Sequence, residues 1–257
     1  NAITYTGDNS AQSVTGLGFK PDLVWLKARN SAQHHAIFDS SRGALKRIGS
    51  SRANAEDTFS GFLSSFDTNG FSFGGADNTQ NGSYNYVAWC WKANGGTTAS
   101  NSEGSITSTV QANPEAGFSI IQYTGTGSNL TMGHGLTKTP EFIAVKNRDA
   151  SVDWNVYHVS IGYTKYAKFN SYEPFASNSA VWNAAPTADV INIGNAGTST
   201  NGSGADYVCY AWHSVEGYSK FGTYEGNGDD ENGPFIYTGF RPRLIFCKNA
   251  DTNNEWF

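Results

Sequence analysis

The residues best able to do chemistry are few and scattered. His34-His35, with Asp39 a few positions on, sketch a metal site or an acid–base pair. In a strand, however, positions 34 and 35 face opposite sides, which splits the pair. Glu56-Asp57 offers two carboxylates, as glycoside hydrolysis requires, but on a polar segment where adjacent acids are ordinarily solvated. Glu225-Gly-Asn-Gly-Asp-Asp-Glu-Asn232 is the densest acidic loop, and oxygen-rich loops of this kind can hold Ca²⁺. Lys27, Lys146 and Lys248 recur, and Arg29 and Arg148 lie two residues beyond the first two. They suit a repeated anion or sugar contact, or a charged cap where a buried strand emerges into solvent; the cap is the preferred reading. Trp154, Tyr157, Tyr163, Tyr166, Tyr172 and Trp182 could stack on sugar rings, although most aromatics of a sandwich lie in its core. The chain has no G-x-S-x-G elbow, H-E-x-x-H, Walker loop or dinucleotide fingerprint. No catalytic, cofactor-binding or metal-ligating residue is therefore expected, and no enzyme activity.

These residues sit on a framework that repeats. Leu17-Gly-Phe-Lys-Pro-Asp-Leu-Val-Trp-Leu-Lys27 recurs as Leu136-Thr-Lys-Thr-Pro-Glu-Phe-Ile-Ala-Val-Lys146, and again as Gly239-Phe-Arg-Pro-Arg-Leu-Ile-Phe-Cys-Lys248. Each copy has a proline, a polar residue, an apolar run and a closing lysine. Proline fixes φ and gives no ladder donor, which suits the first residue of a strand. The apolar run has the length of a strand buried on both faces. The spacing keeps one register: Tyr5 to Tyr123 is 118 residues, Pro21 to Pro140 is 119, Tyr86 to Tyr207 is 121, and Pro140 to Pro242 is 102. Repeats this long are whole domains in a row. The histidines do not recur with them: His34-His35 align near Asp153-Trp154, His158 near Asp39, and the acidic loop falls on the first turn of copy three, which marks it as an elaborated turn.

Composition narrows the class. Of 257 residues only 15% are charged and 14% are aromatic, with a net charge of −5. That composition can bury a core and is unlike a disordered chain. Lys and Arg are scattered, so no nucleic-acid footprint is visible, and no apolar run reaches the ~20 residues of a membrane helix. Cys90 aligns with Ala211, Cys209 with Ala88, and Cys247 with Leu26 and Val145. Each thiol is thus expected to be a small core residue, not half of a disulfide.

Alternation and turn signals predict strands near 3–6, 14–17, 22–28, 35–39, 44–48, 61–66, 70–74 and 84–92, with Asn69-Gly70, Gly74-Gly75 and Asn81-Gly82 as hairpin punctuation. Only Ala53 to Phe59 looks briefly helical. Tyr84-Asn-Tyr-Val-Ala-Trp-Cys-Trp91 is apolar on both faces, as in a central strand. The fold expected is all-β: tandem, jelly-roll-like β-sandwich domains of about eight strands. Copy 1 spans 1–93, a Gly/Ser/Thr/Asn-rich linker 94–103, copy 2 104–214, and the start of copy 3 215–257. The chain opens within a strand and stops within a motif, so it reads as an excerpt.

The set Gly16-Leu-Gly-Phe-Lys-Pro-Asp-Leu-Val-Trp-Leu-Lys27, Asp39-Ser-Ser-Arg-Gly43, Ser64-Ser-Phe-Asp-Thr-Asn-Gly-Phe71 and Tyr86-Val-Ala-Trp-Cys-Trp-Lys92 resembles a repeated domain of large structural proteins of tailed phages, mostly of marine bacteria and cyanobacteria. Gly104-Ser-Ile-Thr-Ser-Thr-Val110, followed by Gly117-Phe-Ser-Ile-Ile-Gln-Tyr123, is similar to that family's join between copies. Copy two lacks the Asp-Ser-x-Arg-Gly element and the Trp-Cys-Trp ending. The resemblance implies a virion component, a fibre or appendage at the particle surface, with other virion proteins as partners, a homo-oligomeric state, and a host-surface glycan as the ligand to test. Composition, as above, argues against nucleic acid and membrane insertion, and the resemblance carries no catalytic residues. The alternative expectation is a secreted carbohydrate-binding module beside an enzyme; a glycan-degrading tail enzyme comes third, for want of a recurring acid pair.

Overall fold

The computed structural model describes residues 1–229 and 231–256. Copy 1 contains β1 (Ala2–Thr6), β2 (Gln12–Thr15), β3 (Leu23–Ala28), β4 (Ala36–Asp39), β5 (Lys46–Arg47), β6 (Asp57–Thr58), β7 (Leu63–Asp67), β8 (Gly70–Phe73) and β9 (Asn85–Trp91). Next come β10 (Ala99–Asn101) and β11 (Ser108–Asn113). Copy 2 contains β12 (Phe118–Thr124), β13 (Leu130–Gly133), β14 (Phe142–Asn147), β15 (Asn155–His158), β16 (Lys165–Tyr166), β17 (Ala176–Ser177), β18 (Val190–Ile193) and β19 (Asp206–Trp212). The fold is all-β and sandwich-like, with, among the described residues, one short 3₁₀ turn at Gly197–Ser199.

The repeat is visible in topology. Copy 1 has a main sheet ordered β1-β9-β3-β4, and copy 2 has the same order, β12-β19-β14-β15, with β11 and β10 added at its edge. The hairpin β5–β6 recurs as β16–β17, and the pair β2–β8 as β13–β18. Pro21 and Pro140 directly precede the Asp or Glu that leads into β3 and β14.

Both faces of the main strands are buried, each against a different partner. In β3, Val24 and Leu26 meet the β2-β8-β7 sheet of their own copy, through Val14, Leu63, Phe71 and Phe73. Leu23 and Trp25 point the other way, into a core shared with Phe142, Ala144, Tyr210 and Trp212 of copy 2. Copy 2 divides its faces alike, with Ile143, Val145, Tyr207 and Cys209 packing inside the copy. The two-sided apolar pattern of β9 thus reflects a central strand lying between an intra-repeat core and an inter-repeat core.

Three local expectations are corrected. Residues 53–59 are not helical. The amide of Glu56 donates to the Arg148 carbonyl at 2.8 Å, and residues 57–58 pair with 46–47, so the amides a helix would use internally are engaged elsewhere. The strand expected at 14–17 ends at Thr15, because Gly16 takes a left-handed φ of +100°. Asn81-Gly82 is not a hairpin turn. Buried Asn81 donates to the Ser10 and Gly75 carbonyls and accepts from the Asp8 amide; Asn201 does the same with Ser128, Gly194 and Thr126. Residues 94–103, read as a linker, are tied to both copies. They carry β10, and buried Gln111 accepts from the Asn94 and Gly96 amides while donating to Ser41 Oγ.

Candidate functional site

The three recurrent lysines use their charge locally. Lys27 Nζ donates to the carbonyls of Ala28 and Ser31, one and four residues on. Lys146 Nζ does the same with Asn147 and Ala150. Lys248 Nζ reaches Asn249, Asn254 and, in copy 2, Tyr172. Lys27 and Lys146 thus satisfy carbonyls of the turn that ends their strands, and Lys248 does so at the equivalent turn, although no strand forms there. Burial lowers all three ammonium pKa values, that of Lys146 to about 8. The expectation of a cap emerging into solvent needs correcting for Lys146, which is fully buried.

The acids and arginines meet where copies 1 and 2 join. Buried Asp39, at the end of β4, receives Arg42 Nε and the Tyr210 hydroxyl, the latter at 2.6 Å. Arg42 also donates to the Ile37 and Lys46 carbonyls and to Glu56 at 3.0 Å. Arg148 grips Glu56 with two bonds of 3.0 Å, and its third nitrogen reaches Gln122 Oε1 at 3.1 Å. Burial opposes charge throughout, but Asp39, Tyr210 and Glu56 together hold Arg42 above its usual range. Burial likewise favours the neutral acid at Glu56, yet the bond from Arg148 and the charge of Arg42 bring its pKa below the usual value. With the side chains of Asp39 and Arg42 wholly covered, this is a hydrogen-bonded ionic seam; its Arg148 and Gln122 border a small open depression of about 230 Å³.

The histidines do not assemble. His34 is exposed beside Ser51, and His35 accepts from Trp25 Nε1 at 3.0 Å. His134 accepts from the Leu136 amide, and His158 from that of Ser160. Among the described residues no three His, Cys, Asp or Glu side chains come together as a metal site. In the acidic loop, Asp229 accepts from the Glu231 and Asn232 amides, which lower its pKa; Asp230 lies outside the described residues.

The aromatics divide. Trp154, Tyr157 and Trp182 are core, whereas Tyr163 and Tyr172 are exposed. Half-buried Tyr166 lines an open depression of about 490 Å³ with Ser151, Asp153, Asn155, Lys168 and Ser199. Lys168 bridges Asp153 at 3.1 Å and Glu173 at 2.9 Å at its edge.

The ionic seam escapes residue-by-residue reading, because its members lie in different copies. A signal is present nonetheless. The counterparts of Arg42, Glu56 and Arg148 are Ile161, Phe175 and Ala250, so acid and base change together to apolar residues. No curated protein and no solved structure matches the chain. A family model matches over residues 1–257, and the chain belongs to that family, described as a domain of unknown function (DUF7483).

Proposed function

We propose that this chain is a structural component of a tailed-phage particle, a fibre or appendage whose β-sandwich repeats are held rigidly and present their loops to a host surface or decorate the capsid. One observation carries the reading: the charged side chains suited to chemistry are engaged in joining repeats, through the Asp39–Arg42–Glu56–Arg148 seam. The resemblance of the Asp39-Ser-Ser-Arg-Gly43 and Tyr86-to-Lys92 motifs to phage structural repeats supports it. Rigid repeated display multiplies weak contacts by effective concentration, and Asn-, Ser- and Tyr-rich loops suit polar recognition. The test is immuno-electron microscopy of the native particle. Label on a projecting fibre or over the capsid is expected; particles without label would contradict the reading.

A carbohydrate-binding module is the second reading. The polar depression beside Tyr166 and the exposed Tyr172 favour it. Glycan-array binding that Tyr166→Ala abolishes would move it ahead.

A further inference from the structure

Two contacts between copies 1 and 2 recur at equivalent residues between copies 2 and 3. Trp154 Nε1 donates to the Gly49 carbonyl at 2.8 Å, and Trp256 Nε1 donates to the Lys168 carbonyl at 2.8 Å. Trp154 and Trp256 stand 102 apart, as Pro140 and Pro242 do; Gly49 and Lys168 stand 119 apart, as Pro21 and Pro140 do. The Glu56 amide donates to the Arg148 carbonyl at 2.8 Å, and the equivalent Phe175 amide to the equivalent Ala250 carbonyl at 3.1 Å. The interface is therefore head-to-tail, and a head-to-tail interface makes either a closed ring or an open filament.

The rings at the centre decide between the two. Equivalent residues of different copies touch: Trp91 and Trp212 at 6.1 Å between centroids, and Trp25 and Phe246 at 5.6 Å. Phe246 also meets Phe142 and Phe169 of copy 2, so copy 3 reaches copies 1 and 2 at once. Arg243 of copy 3 further donates to the Asn1 side chain. In an open row, copy 3 would not touch copy 1.

We propose that the repeats turn about a three-fold pseudo-symmetry axis, so that the copy 3 segment packs on copy 1 as well as on copy 2. His35 stands at the place of Trp154 and Trp256. Because Nδ1 accepts from Trp25, the proton lies on Nε2, which has no acceptor among the described residues. Ile245 is 68% exposed and Tyr224 52%, whereas Val24, Ile143 and Tyr123 at the equivalent positions are buried. In copy 3, Phe246 and Trp256, which face the axis, are half-buried, whereas the opposite face is exposed.

The experiment places spin labels pairwise at the equivalent positions Lys20→Cys, Thr139→Cys and Arg241→Cys, with Cys247→Ser as background. Three equal distances by pulsed dipolar spectroscopy are expected. A 20–241 distance near twice the other two would indicate an open row and overturn the proposal.

Discussion

At the scale of single residues, charge in this protein works mainly on its own backbone and on neighbouring copies. Arg42→Ala would leave Asp39 buried with its charge uncompensated, and should cost about 3–5 kcal/mol in urea unfolding. Glu56 gives a pH-dependent counterpart. Its folded pKa lies below the unfolded value, so the contribution is present above the ordinary glutamate pKa of about 4.3 and is lost as pH falls through the depressed folded value. Wild type should therefore lose more stability on acidification than Glu56→Gln does; parallel pH curves would contradict the assignment. The thiols offer a third check. Burial pushes Cys90 up to about 12 and raises Cys209 further, while Cys247 is partly exposed. A thiol reagent should modify Cys247 first and reach the other two only on unfolding.

At the scale of elements, the copies are held by the same small devices. Tyr86 takes the Gly82 amide and donates to the Asn78 carbonyl; Tyr207 does so with Gly202 and Thr198. Each stacks on the first strand's tyrosine, Tyr5 at 5.1 Å and Tyr123 at 4.9 Å. Asn81 and Asn201 pin the same loops. Asn201→Ala would orphan buried partners, and should cost about 1–3 kcal/mol by thermal or chemical unfolding. The loop also passes so close that a Cβ on Gly125 would lie 2.3 Å from the Gly202 carbonyl, and one on Gly7 2.1 Å from that of Gly82.

Strands with strong patterning, such as 22–28 and 84–92, were legible in the sequence almost to the residue. What escaped it was decided at longer range. Residues 53–59 have a helix-like composition, but their amides are taken by Arg148 and by Ser151 Oγ of the next copy. Asn-Gly suggested a turn because the pairing that buries Asn81 joins segments some 70 residues apart.

For the whole molecule, the repeats share one core. Trp154 belongs to copy 2 but donates to copy 1, and Trp25 belongs to copy 1 but packs on Phe169 and Phe246. Burial on both faces of the main strands follows from this. Sequence periodicity announced the copies. Their mutual rotation could not be read from it, because it depends on which equivalent groups meet across the interface.

The central claim, that the copies are one cooperative body joined at this core, is tested most directly by scanning calorimetry of wild type and Trp154→Ala. One transition, with equal calorimetric and van't Hoff enthalpies, is expected for wild type. The variant should lose about 3–5 kcal/mol and separate into two transitions. Two transitions already present in wild type, with the variant altering only one, would contradict the claim.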